Sequence, residues 1–158
     1  MADAIVVPGG EVPGDLNLLR AINPKHLDGK GQLCDNSFFL SRSKPKDGVS
    51  TGIEPLITVQ QLRNLQCIRK RCGEACGVAV MNVGEVLNPV QDTPIRVLQE
   101  DDEEWGCFSH AHALITGHQG LPKGDEGKKK LKDFQRHLVN LARKRYFPAG
   151  STVEQSTA

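Results

Sequence analysis

The sequence predicts an α+β fold, a mostly antiparallel sheet of about five or six short strands flanked by two main helices. Three observations carry this. Apolar residues recur at helical spacing in only two stretches, Leu62, Leu65 and Ile68 in one, and Leu131, Phe134, Leu138 and Leu141 in the other. Elsewhere the apolar residues fall in short runs bounded by Gly, Pro and Asn, which is the pattern of strands. Strands and helices do not alternate strictly, which argues against a parallel sheet built from βαβ units.

Taken in order, residues 1–14 carry Pro8, Gly9, Gly10, Pro13 and Gly14 and read as a flexible leader. Residues 16–22 are a short apolar run, a strand stopped by Asn23-Pro24, and 26–35 are a polar, Gly-rich loop. Residues 37–40 read as a second strand, and 41–52 as a Ser/Lys/Pro/Gly connection. Thr58, with Gln61 three residues on, forms a capping box that opens a helix through about Arg71, ended by Gly73 and Gly77. Residues 77–86 carry Val78, Val80, Val83 and Val86 and predict a buried strand bent at Gly84. Residues 95–98 and 110–116 are further strands, and 121–127 are a Pro/Gly loop. The strongest period is that of a helix over 128–147, stopped by Pro148, and 151–158 read as a disordered polar tail. The organisation expected is a single domain over 15–150.

A chain of 158 residues with 38% apolar and 25% charged residues supports one hydrophobic core. The net charge of +1 gives no global electrostatic case for nucleic acid or an anionic membrane. The charges are nevertheless uneven, with Glu100 to Glu104 an unbroken acidic run and Lys and Arg crowded after Lys128. No apolar stretch approaches the roughly 20 residues that span a bilayer, and the N-terminus lacks the basic and apolar regions of a secretory signal. Five cysteines, an odd number, predict reduced thiols in a cytoplasmic protein. The series Cys67, Cys72 and Cys76 lacks the paired knuckles of a structural zinc site, so buried thiols rather than metal ligands are expected.

Three features point to chemistry. On a strand over 110–116, His110 and His112 share a face, where two imidazoles can bind a metal together or act as an acid–base pair near neutral pH. Arg20 interrupts an apolar strand; an unpaired buried guanidinium is costly, so it would point to solvent from an edge strand or, on a central strand, face a cleft and hold a phosphate or carboxylate. Ser50 and Thr51, between Gly48 and Gly52, offer hydroxyl and backbone donors to an anion.

The order of Arg20, a Phe-containing segment at 37–40, Ser50-Thr51 and then His110 and His112 resembles small uncharacterised bacterial proteins. These share an Arg…Ser-x-Phe…Ser…His-x-His outline. The pattern is also loosely similar to ADP-ribosyltransferase-like folds. That resemblance implies NAD held by Arg20, Ser50 and Thr51, with Glu85 completing the site; Gly52 stands where the third hydroxyl would be, and no Glu-x-Glu or Gln-x-Glu pair is present.

Three readings follow. The first is a small phosphate- or nucleotide-directed enzyme, a hydrolase of the ribonuclease-like toxin or defence-effector kind. His110 and His112 would be its acid–base pair, and Arg20 and Ser50 would grip a phosphate-containing ligand or RNA. The second is an NAD-using ADP-ribosyltransferase-like protein. The third is a non-catalytic interaction module with a protein partner, as in an immunity protein, an antitoxin or a complex subunit.

Overall fold

The computed structural model describes residues 6–38, 40, 48–72 and 76–148. Strands β1 (Asn17–Ile22), β2 (Val49–Glu54), β3 (Gly77–Asn82), β4 (Arg96–Gln99), β5 (His112–Thr116) and β6 (Tyr146–Phe147) form one sheet in the order β4-β5-β2-β1-β3-β6. Every neighbouring pair is antiparallel, as the sequence predicts. Among the described residues four α-helices accompany it: α1 (Val59–Asn64), α2 (Gln66–Cys72), α3 (Val83–Leu87) and α4 (Asp125–Lys144).

Alternation along the strands builds two cores, one on each side of the sheet. Leu18, Ile22, Val49, Ile53, Ala79, Met81, Val97, Ala113 and Ile115 face α4, where Leu131, Phe134, Leu138 and Ala142 meet them. Leu19, Val78 and Val80 face the other way, against Leu62, Leu65 and Ile68 of the α1–α2 segment and against Trp105. No helix among the described residues is long and apolar enough to cross a membrane.

Several boundaries differ from those expected, each for a local reason. The strand expected over 37–40 does not form at residues 37, 38 and 40, and residue 39 lies outside the described residues. Ser37 N–H bonds to the Cys34 carbonyl, and Asp35–Phe38 forms a 3₁₀ turn that still buries Phe38. The expected connection over 41–52 holds β2 in its second half, because Val49, Thr51 and Ile53 alternate inward; residues 41–47 lie outside the described residues. The capping box at Thr58 and Gln61 forms, but Leu65 adopts extended backbone and splits the expected helix into α1 and α2. The expected stop at Gly73 also falls outside the described residues. The strand expected over 77–86 ends at Asn82, whose side chain accepts from Glu85 N–H and caps α3. Gly84 serves that helix, its N–H bonding the Gly14 carbonyl at close range. Helix α4 begins three residues earlier than 128 and ends at Lys144, leaving Tyr146 and Phe147 to pair with β3.

Part of the expected leader is docked. Val12 is buried and its N–H bonds to Val97, while Gln99 N–H bonds to Gly10, so this segment lies along the outer edge of β4. A docked segment of this kind covers an otherwise open sheet edge. The expected tail over 151–158 lies outside the described residues. The cysteines also require a correction. Cys72 and Cys76 are joined as a disulfide, with Cα atoms 5.2 Å apart. Cys72 ends α2 and Cys76 stands just before β3, and their Cα separation lies within the usual bridging distance. Cys34, Cys67 and Cys107 are free thiols.

Candidate active site

The site is built where β5 enters the sheet. Asp102 accepts from Glu104 N–H and opens a 3₁₀ segment, Glu103–Ala111, that bends at Gly106, a glycine with φ 58°. The segment swings Trp105 over the sheet and delivers His112 as the first residue of β5. Gly52 is the direct partner of His112 on β2. A Cβ there would approach Ile57 to 2.8 Å and the Trp105 ring to 3.3 Å, so the glycine makes room for the indole. Trp105 in turn meets the His112 ring edge-on, with centroids 4.8 Å apart.

His112 is 3% exposed, and both ring nitrogens are engaged. Nδ1 lies 2.7 Å from the Glu100 carbonyl, which can only accept, so the proton of the neutral ring sits on Nδ1. Nε2 is then an acceptor, and Ser50 Oγ donates to it at 2.7 Å. Asp102 Oδ2 stands 3.9 Å from the same Nε2. The result is a hydroxyl, an imidazole and a group that orients the imidazole, the arrangement that activates a serine.

A cleft in the second core brings Ser50 together with Leu19, Ala21, Leu62, Trp105 and Arg71. Its free volume, about 10 Å³, is close to the room that a single water needs. On the other side of Ser50 the sheet face is open. Leu98, Leu114 and Ser50 form one cross-strand row, since Leu114 pairs directly with both of the others. Leu98 and Leu114 floor a groove of about 500 Å³, walled by Pro8, Gly9, Glu100 and Asp101.

The expected site residues are thus only partly brought together. Ser50 and His112 meet. His110 does not join them: it lies in the 3₁₀ segment, so the expected same-face pairing with His112 on a strand does not form. Its side chain is 47% exposed, with Nδ1 3.7 Å from Asp101 Oδ1. Arg20 alternates with Leu18 and Ile22, on the α4 side of the sheet, opposite the Ser50 hydroxyl. The β1–β2 register runs as far as Leu19 and Gly52. Beyond it the guanidinium donates to the Ser50 carbonyl at 2.9 Å and to the Ser37 carbonyl at 3.5 Å. Its Nε is buried and has no partner among the described residues. Burial, and secondarily the nearby Arg71 charge, push its pKa down to about 10, so it stays cationic at neutral pH. Arg20 therefore fixes the backbone beneath Ser50 from behind.

Thr51 is buried and its hydroxyl donates to the Ala113 carbonyl at 3.1 Å. Glu85 lies in α3, past Asn82, which pairs with Asn17 at the far end of β1 from Ile22. Its carbonyl accepts from His137 Nε2. Arg20, Ser50 and Thr51 thus all line the small cleft, whereas Glu85 lies apart from it in α3.

Sequence reasoning missed Trp105, Asp102, Arg71 and the Glu100 carbonyl. The only Trp in the chain, set directly after an acidic run, is the one signal that pointed to them. Among the described residues no group of three His, Cys, Asp or Glu is arranged to hold a metal ion. Comparison with models of protein families, with curated proteins and with solved structures found no match for this chain.

Proposed function

We propose that the chain is a small phosphate- or nucleotide-directed enzyme in which Ser50 and His112 are the reacting pair. The observation that carries this reading is the 2.7 Å contact between Ser50 Oγ and His112 Nε2, with Nδ1 held by the Glu100 carbonyl. A neutral imidazole oriented in this way accepts a proton from a hydroxyl, which is general-base chemistry. Arg71 lines the cleft beside Ser50 and supplies a fixed cation for an anionic group. The groove over Leu98 and Leu114 has a volume within the range of small-ligand sites, roughly 300–1,000 Å³, and would take the body of a nucleotide.

Calorimetry with mononucleotides, NAD and a short RNA tests the reading on wild type, Arg71→Ala and His112→Ala. One of these ligands should bind wild type. Arg71→Ala should weaken it about tenfold or more, the worth of one charge-assisted hydrogen bond. No binding by any ligand, or equal binding by all three proteins, would hand the site to the interaction-module reading, in which the Ser50–His112 bond is only a core polar contact.

A further inference from the structure

We infer that Ser50 is a covalent nucleophile, attacking the phosphorus of its substrate and carrying the phosphoryl group before water removes it. The inference rests on the phosphate-directed reading for its substrate class and goes beyond it in naming the step. A serine hydroxyl is a weak nucleophile unless a base lies within hydrogen-bond reach and that base is itself oriented by a third group. Both conditions hold: Nε2 is 2.7 Å from Oγ, and the Glu100 carbonyl is 2.7 Å from Nδ1.

Three further features separate this pair from a polar contact sealed in a core. The two partners differ in access, His112 being buried while Ser50 is partly exposed and adjoins the open row formed with Leu114 and Leu98. The base is therefore buried while the serine is partly exposed, beside the row whose Leu114 and Leu98 line the groove. Asp102 Oδ2, at 3.9 Å from Nε2, is placed to stabilise the imidazolium once the proton has moved. Arg20 holds the Ser50 carbonyl from the opposite side of the sheet, so Oγ is set on a fixed strand and not on a loose loop.

The step balances without an external oxidant or metal. Oγ forms a bond to phosphorus as its proton passes to His112 Nε2. The bond from phosphorus to the leaving oxygen breaks, and that oxygen takes the proton from Nε2. In the second half a water oxygen attacks phosphorus and its proton goes to Nε2. The P–Oγ bond then breaks and Oγ recovers the proton, restoring both residues.

The test uses diisopropyl fluorophosphate, a neutral electrophile that transfers its phosphoryl group to an activated serine with loss of fluoride. Intact mass and peptide mapping on the full chain should find one adduct, on Ser50. Ser50→Ala should abolish it, and His110→Ala should leave it unchanged. His112→Asn should slow it by about 100-fold or more, the lower end of what a positioned base contributes. Circular dichroism checks that each variant is folded. Should His112→Asn fail to fold, the wild-type adduct site and the Ser50→Ala control decide alone. Absence of an adduct on Ser50 in folded wild type would overturn the inference, as would equal labelling of His112→Asn. Nucleotide binding with no labelling would remove the covalent step and leave the phosphate-directed reading. Labelling of Ser50 with no binding of any phosphate ligand would do the reverse.

Discussion

Ser50 and His112 meet on the diagonal of the β2–β5 pair, for the direct partner of Ser50 is Leu114 and that of His112 is Gly52. Gly52 therefore sits under the imidazole with no side chain of its own, and Ile57 and Trp105 take that space. Gly52→Ala should overpack this point and cost about 1–3 kcal/mol of stability. Trp105 is the only tryptophan, so its emission reports the displacement directly. A variant with unchanged emission and an unchanged denaturation midpoint would show that the indole is not packed on Gly52.

Leu138 is fully buried between α4 and the sheet. Leu138→Ala should cost about 2–5 kcal/mol, the range for a large-to-small change in a packed core. Chemical denaturation reads the loss. No shift in midpoint would mean that α4 is not docked.

Arg20 should matter to stability more than to charge. Arg20→Met keeps much of the bulk but strips the Ser50 and Ser37 carbonyls of a donor, an expected loss of about 1–3 kcal/mol. Its pKa is lowered to about 10, so folded and unfolded chains both hold the proton below that pH. Between about 10 and the ordinary value the unfolded chain binds more protons, and stability gains as pH rises. The stability difference between wild type and variant should thus be flat from about pH 6 to 9. A slope there would assign the effect to another group.

The thiols should react in a defined order. Burial pushes the Cys67 thiol up, nearby Glu104 and Asp102 add to this, and Arg71 opposes it, whereas Cys107 is exposed. Because the thiolate is the reactive form, iodoacetamide should modify Cys107 well before Cys67. Cys72 and Cys76 should react only after reduction. Their modification in unreduced protein, mapped by mass spectrometry, would show that the bridge is absent.

Gly117 turns the chain out of β5 with φ 92°, and a Cβ there would collide with the Pro94 carbonyl. Gly117→Ala should cost about 1–3 kcal/mol from backbone strain alone, with the clash adding to it. A thermal midpoint equal to wild type would mean that the turn relaxes freely.

What the sequence determined was local. The period of Leu131, Phe134, Leu138 and Leu141 specifies α4 because a helix is made of contacts three and four residues apart. The capping box at Thr58 specifies the start of α1 for the same reason. The α+β class followed from counting such signals. Strand β2 was hidden because the residues on its second-core face, Ser50 and Gly52, are loop formers, and the alternation of Val49, Thr51 and Ile53 shows only once a core lies beside it. The 3₁₀ segment over Glu103–Ala111 was hidden for a similar reason: an acidic run reads as solvated loop until Trp105 finds a place to be buried. Tertiary structure alone decided the site. Ser50 and His112 are 62 residues apart, and only the β2–β5 register joins them. Alternation tells which face a strand residue takes, but not which strand lies beside it or where the strand begins. The start of β5 at His112 left His110 outside the sheet, and the alternation of β1 put Arg20 behind Ser50.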